Sequence, residues 1–545
     1  MALSATTIAE VETGGSDTAN SGLFDPGQTA GMLTDGAATS ATTASPVFTS
    51  ASYNFVAGDV GAWVFIGAGT NWIQGWYKIA SVASNAATLT ATAGSAVIRP
   101  NNATSFKPST ATGCASVTSP TGATWSIDYS QQASPKNTYT DLASTGAGLT
   151  VSSAAKPFGK QQVGNGIVIT GGTNFTTGRY VIASVSVANV ATVVGPGNIT
   201  TGAGASGTGS LGGALASAGQ AGAHVVASNL VYVKTGSYTV TSASTNIAAG
   251  CFAPAGASIT VEGYDTVRGD LFSVTATGTR PTITASGIST FTLFSLSGGT
   301  SNVRNLILDG GSLTSSRGVN SNGISVYNVH GKNMTNSVIG ATSAWGFRCS
   351  GTGCSTAAVF ANTGGCVSSV AYSNTITGFS GGVAYLDCIA TTNTGASSDG
   401  FASGSGGVQF RNCTSYGNGR DGFRDSASQT SGIQNCIAEG NGGFGYTLSG
   451  ATGAFILTSA SYNNTSGATS ITTGRSNIDV TALTASPFTN AAGGDFSLNT
   501  TAGAGAACRA AGFPGTFPGV STTGYLDIGA AQHADPAALA LYAVE

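Results

Sequence analysis

The chain has 545 residues, 8% of them charged, with a formal net charge of −3 and no basic run, so nothing in it offers the electrostatic footprint that nucleic acid requires. Its 81 glycines would suit a disordered chain, but 41% hydrophobic residues supply a core. No apolar run approaches the length of a membrane span, and no cofactor or metal is expected.

The N-terminus, Met1-Ala-Leu-Ser-Ala-Thr-Thr7, lacks the basic and apolar regions of a signal peptide, and export by that route is not expected. Residues 1–45 are rich in Thr, Ser, Gly and Ala and include Thr13-Gly-Gly-Ser-Asp17 and Phe24-Asp-Pro-Gly27. With few large apolar side chains they read as a linker or, preferred, an attachment arm that orders against a partner.

Beyond the arm lies a repeat. Val60-Gly61, Ile66, Gly69-Thr-Asn71, Trp72, Gly75, Tyr77 and Ile79-Ala-Ser-Val82 return 103 residues later as Val163-Gly164, Ile169, Gly172-Thr-Asn174, Phe175, Gly178, Tyr180 and Ile182-Ala-Ser-Val185. Alternating runs flank each Gly-Thr-Asn turn, so each copy is expected to be a small antiparallel β module, at 46–100 and 140–205. Trp63, Trp72 and Trp76 could offer a sugar-stacking platform. Core packing is the preferred reading, because Phe175 replaces Trp72 in the second copy. Residues 101–139, with Pro108, Pro120 and Pro135, read as a connector or extra strands. Gly202 to Ser210 reads as a flexible hinge, and Leu211 to Ala221 as a helix covering the first open coil of a solenoid.

Residues 206–480 carry a second periodicity. Gly378-Phe379, Gly400-Phe401, Gly422-Phe423 and Gly445-Tyr446 recur at spacings of 22, 22 and 23. Cys388, Cys413, Cys436 and Ser459 form another column, and Asn393, Asn418, Asn441 and Asn464 a third. Units of this length without helical periodicity predict a right-handed parallel β-helix. Its coils, about 4.8 Å apart, would stack Phe and Cys inside and place Asn at left-handed corners. Roughly a dozen coils would make a shaft of roughly 50–60 Å. Residues 481–545, with Ser486-Pro-Phe488, Gly494-Asp-Phe496 and Asp527-Ile-Gly-Ala530, read as a cap over the last coil and a tail.

Nine cysteines spread over so long a chain do not make a disulfide scaffold. The column cysteines read as reduced, packed thiols. Cys349 and Cys354 could close a small loop or sit apart. His224, His330 and His533 are too scattered for a zinc site, and His330 reads as a loop residue with no catalytic role.

The solenoid, with its Val231–Tyr238 opening and Val303–Gly310 coil, resembles the pectate-lyase-like right-handed β-helix superfamily. The arm and Gly-Thr-Asn-(Trp/Phe) modules ahead of it are similar to virion structural proteins of tailed phages, including fibre and spike proteins. That resemblance implies an exposed phage structural protein on the virion exterior, attached to other virion proteins by its N-terminal region. It also implies a homotrimer, with host-surface polysaccharide as a candidate contact. A tailspike-like polysaccharide depolymerase and a bacterial surface adhesin are the alternatives. The superfamily includes lyases and hydrolases, but a shared fold does not carry activity.

The candidates for catalysis are Asp399, Asp421 and Arg424. Both acids directly precede the Gly-Phe column, so neighbouring coils should stack their carboxylates about 5–6 Å apart. That separation suits a glycosidase's nucleophile and acid, or a hard cation. Asp before Gly is also ordinary turn chemistry, with Arg420 and Arg424 relieving the repulsion, and this reading is preferred. Asp387, Asn412 and Asn435, each preceding the Cys column, read as a structural polar ladder.

Overall fold

The computed structural model describes residues 3–38, 46–90, 120–512 and 526–532, apart from 255, 272–277, 297–299, 321, 341–342, 362–363, 405, 427–429, 450–452, 472–476 and 510. Most of the expected connector (101–119), the end of the first module, and His533 with the tail beyond it lie outside the described residues. The chain divides into two compact units, Met1–Ile283 with Arg304–Leu306, and Thr284–Val303 with Ile307–Glu545. Among the described residues no helix is long and apolar enough to cross a membrane.

The first unit contains the duplicated module twice over. Leu33–Ala38, Val47–Thr49, Trp63–Thr70, Gly75–Ala83, Ala86–Thr90 and Thr121–Asp128 close into a barrel. Around the barrel the order of these strands is first, second, fifth, fourth, third, sixth. Asn137–Ser144, Thr150–Val151, Gly166–Phe175, Gly178–Val185, Ala191–Val194 and Thr200–Leu211 repeat that neighbour order in a sheet. A bridge from Ala143 to Ser152 links its first and second strands. The registers match as well: Ile66 pairs with Gly75 and Ile169 with Gly178. Tyr77 and Tyr180 are both buried, and each hydroxyl donates to the carbonyl four residues earlier, Ile73 at 2.7 Å and Thr176 at 3.2 Å.

Each module is wider than its sequence repeat, which covers only the third and fourth strands and the turn ahead of them. Of the stretch read as a connector or extra strands, Thr121–Asp128 is a strand, and it closes the first barrel. Gly202–Ser210 is no hinge but part of the sixth strand of the second module. Glycine is needed there because a Cβ on Gly204 or Gly207 would run into the Phe175 ring at 2.8 or 2.6 Å. Trp63, Trp72 and Trp76 are buried, Trp72 being 8% exposed; Trp72 meets Phe48 at 5.4 Å and Trp76 meets Phe65 at 4.7 Å. Their aromatic edges fill the barrel.

The N-terminal segment is not a free arm. Ile8–Val11 runs parallel to Leu230–Lys234 and Ile8 pairs antiparallel with Phe24, whose ring sits 5.7 Å from Phe65. Of the few large apolar residues of the segment, Ile8, Val11, Leu23 and Phe24 are buried. Asp17 accepts from the backbone N–H groups of Ala216 and Ser217 at 2.9 and 3.1 Å, just ahead of the short helix Ala218–Gly222.

In the second unit the β-helix is regular. Its coils belong to about eight turns over residues 282–482, fewer than the dozen expected, since residues before 282 finish the second module and form irregular strands. Each coil has three short parallel strands, exemplified by Ala384–Leu386, Ile389–Thr391 and Phe401–Ala402. The corner between the first two is a single left-handed residue, including Asn328, Asp387, Asn412 and Asn435 (φ 50–54°). This column is therefore the Asx corner: Asn412 donates to Asp387 at 3.0 Å and Asn435 to Asn412 at 3.2 Å.

Three ladders fill the interior. Phe360, Phe379, Phe401, Phe423 and Tyr446 stack at 4.9, 4.8, 4.8 and 5.3 Å, with interplanar angles of 16° or less. Cys349, Cys388, Cys413 and Cys436 share a second column with Ser369 and Ser459, and burial pushes the Cys413 thiol well up. Cys354 heads the third column, ahead of Asn374, so it and Cys349 occupy different ladders and both are free thiols. The asparagines of that third column do not form the left-handed corner; they come after it and turn inward. Each side-chain amide donates to the next coil, Asn374 to Asn393 to Asn418 to Asn441 to Asn464, at 2.7–3.0 Å. Buried amides satisfied in this way specify the coil register.

The described residues of the C-terminal segment lie along the solenoid and not over its end. Leu483, Phe488, Phe496, Leu498, Cys508, Ile528 and Ala530 pack on Ile389, Ile437 and Ala460, on the side of the solenoid. Gly529 N–H donates to the Asn435 carbonyl at 2.8 Å, and Ala530 N–H to Thr414 at 3.0 Å. Beneath this cover the strands Ile389–Thr391 and Ile437–Glu439 are buried throughout, whereas His330–Lys332 buries only the middle residue.

Candidate functional site

Asp399 and Asp421 do stack in successive coils, two positions before the Phe column. The turn they occupy is held by side chains reaching the backbone of the next coil. Thr377 Oγ1 accepts from Asp399 N–H at 3.3 Å, Asp399 Oδ1 from Asp421 N–H at 3.2 Å, and Asp421 Oδ1 from Phe444 N–H at 2.9 Å. Both acids therefore act as caps that pass one hydrogen bond along the axis.

Asp399 is also paired. Arg420 grips it with two bonds, Nε to Oδ1 at 2.7 Å and Nη2 to Oδ2 at 2.5 Å. The carboxylate is 1% exposed while the guanidinium remains about one-third exposed, so the arginine closes the turn from outside. Burial outweighs the guanidinium and raises the Asp399 carboxyl above its ordinary value; the same pair raises Arg420. Of the two arginines expected beside the acids, Arg424 is not the pairing residue. It lies on the strand Phe423–Asp425 between two buried neighbours and points outward, in register with Ala402 and Thr447.

Sequence reading named Arg420 beside Arg424 without choosing between them, and it missed Asp425. Asp425 is fully buried and accepts from Ser403 at 2.9 Å and Ser431 at 3.0 Å. The Ser403-to-Asp425 spacing of 22, equal to that from Phe401 to Phe423, was the available signal. Among the described residues no group of three or more His, Cys, Asp or Glu is placed to hold a metal ion.

Aromatic side chains mark a different face. Trp345 and Phe347 lie on one first strand and point outward, half-buried, and Tyr327 of the preceding coil stacks on Phe347 at 4.8 Å and 11°. Trp345 lies over Gly364 and Gly365 of the next coil; a Cβ on either would meet the indole at 2.8 Å. His330, on the adjoining strand, bonds Ser350 at 2.8 Å and stacks with Tyr372 at 6.3 Å.

The second unit is thus a parallel β-helix with laddered interior. No family model and no curated protein matches the chain. Similar solved structures include pectate lyase Pel9A (15% identity, 59% of this chain and 92% of that one, TM-score 0.36). Others are the A-module of mannuronan C-5 epimerase AlgE4 from Azotobacter vinelandii (17%, 44% and 70%, 0.29) and the catalytic domain of a GH87 α-1,3-glucanase (10%, 63% and 89%, 0.27). These likenesses concern the fold alone.

Proposed function

We propose that this chain is a structural protein exposed on a phage particle, as a fibre, spike or capsid decoration. In this reading it is attached through its N-terminal unit to other virion proteins, assembles as a homotrimer, and meets host-surface polysaccharide with the side of its coils. The observation that carries the non-catalytic part is the commitment of Asp399 and Asp421 to the backbone of the next coil, with Arg420 closing over Asp399. A carboxylate so held stabilises a turn and is withdrawn from substrate. The resemblance of the modules to virion proteins supports the particle location, and Tyr327, Trp345 and Phe347 supply the aromatic surface that a glycan contact uses.

The second reading, a polysaccharide depolymerase, draws on one feature: Asp399 sits above the usual carboxylate range, as a general acid must. Release of reducing or unsaturated ends from purified host polysaccharide separates the two. No turnover is expected from the wild type or from Asp399→Asn/Asp421→Asn. Turnover that vanishes in the double variant would establish the depolymerase. Mass spectrometry of purified particles, with antibody labelling of intact ones, is expected to find the chain on the exterior; its absence would remove the virion reading. Trp345→Ala with Phe347→Ala is expected to weaken retention on immobilised host polysaccharide at least tenfold with unchanged melting. Unaltered retention would move the contact to another face.

A further inference from the structure

The N-terminal strand is fastened by a buried cluster with an uneven charge count. Glu10, on Ile8–Val11, is fully buried; Arg268, 4% exposed, reaches Glu10 Oε2 with Nε at 2.9 Å and Asp128 Oδ2 with Nη1 at 2.8 Å. The guanidinium lies between the rings of Trp76 and Tyr232, at 5.4 and 5.1 Å. Asp128 is well supplied with donors: besides Arg268 it accepts from Trp76 Nε1 at 3.0 Å and from the Ser130 N–H and hydroxyl at 2.8 and 2.7 Å. Glu10 has Arg268 and the Tyr264 hydroxyl. Two buried carboxyls thus share one guanidinium, and ionising both leaves a surplus negative charge in a water-excluded interior. With its fewer donors, Glu10 is the group that must take the proton.

The other ionisable neighbours do not supply the missing positive charge. Tyr232 and Glu262 continue the cross-strand row from Glu10, Glu262 itself being buried. Tyr238 donates to the Val11 and Lys234 carbonyls at 3.3 and 2.7 Å. Lys234 is engaged by Glu12 at 2.6 Å.

We propose that the Glu10–Arg268–Asp128 cluster is a proton-controlled latch on the N-terminal strand: a proton on Glu10 holds residues 8–11 against Leu230–Lys234, and its loss loosens them. The geometry stands apart from the particle reading, and holds whether or not the protein is a virion component. Burial carries Glu10 from 4.5 up to about 7. A folded value above the unfolded one stabilises fully below 4.5, and the contribution is lost as pH rises through 7. Between these limits the closed-to-open ratio falls about tenfold per pH unit, so roughly a hundredfold separates pH 5 from pH 8. Loosening would bare the Leu230–Lys234 edge, a ready template for another strand.

Hydrogen exchange of the full chain, corrected for intrinsic rates, reads this directly. Amides 8–11 in the wild type are expected to lose between tenfold and a hundredfold of their protection from pH 5 to pH 8, along a one-proton curve, while strands of the β-helix keep theirs. In Glu10→Gln the protection should be flat with pH. Constant protection in the wild type, or an unchanged pH curve in Glu10→Gln, would overturn the latch. Should Glu10→Gln fail to fold, the wild-type titration decides, together with Tyr264→Phe. Removing that hydroxyl should move the midpoint, and a midpoint that stays in place would count against Glu10 as the group responsible.

Discussion

Phe423→Asp is expected to yield no soluble folded protein. The ring is fully buried, stacked at 4.8 Å on Phe401 and 5.3 Å on Tyr446, and meets Phe410 edge-on at 5.9 Å. Removing a buried aromatic costs about 3–5 kcal/mol, and an uncompensated buried charge adds several more. Together these rival the whole stability of a domain, about 5–15 kcal/mol. Because every coil of a solenoid is stabilised by its neighbours, a failed rung removes two interfaces at once. Phe423→Leu keeps an apolar rung and should fold with a lower melting temperature. Soluble yield and thermal melting followed by circular dichroism test both, and wild-type melting of Phe423→Asp would remove the stacking register.

Arg420→Ala is expected to cost about 2–3 kcal/mol at pH 7.5, below the 3–5 kcal/mol for breaking a fully buried pair because the guanidinium is partly solvated. What hurts is the carboxylate left behind, since Asp399 is buried and keeps only the Asp421 N–H as a donor. Asp399→Asn should cost less, because it removes the charge along with its partner's task and can still accept from Asp421. The pH dependence comes from the sign of the shift. Asp399 already lies above its usual value, and losing Arg420 raises it further. The deficit of Arg420→Ala should therefore shrink as pH falls and Asp399 takes up a proton. Urea unfolding at pH 7.5 and 4.5 measures it. A deficit that is equal at both pH values would show that the pair contributes nothing to the turn.

The coils were legible in the sequence because stacking turns geometry into repetition. Phe401 and Phe423, or Cys413 and Cys436, hold the same environment one coil apart and so recur at the coil length. What repetition does not report is direction. It marked both Asp387–Asn412–Asn435 and Asn393–Asn418–Asn441 as polar columns without telling a left-handed corner from an inward-turned amide; that depends on backbone dihedrals at adjacent residues. Arg420 and Arg424 flank the same turn, and only its path shows that the first folds back over Asp399. The tail's Phe488 and Phe496 announced that they cover something, but the surface covered lay in Ile389 and Ile437, outward residues that had no partner in the local pattern. The N-terminal segment was misread for a related reason: a strand added to an existing sheet needs only a few apolar residues, because its neighbours supply the core.

The inward amide ladder also acts as a ruler. From the inward residue of each first strand to its asparagine the chain counts the same eight steps, Tyr385 to Asn393, Phe410 to Asn418, Ile433 to Asn441 and Ile456 to Asn464. The distance from asparagine to the aromatic rung is free to change, eight residues at Asn393 to Phe401 and five at Asn418 to Phe423. All variation in coil length is thus confined to the remaining two turns, while the amide-lined corner stays fixed. Insertions belong in those two turns, where new loops can be grown without moving a single rung, and the fixed corner is where a one-residue deletion would throw the ladders out of step.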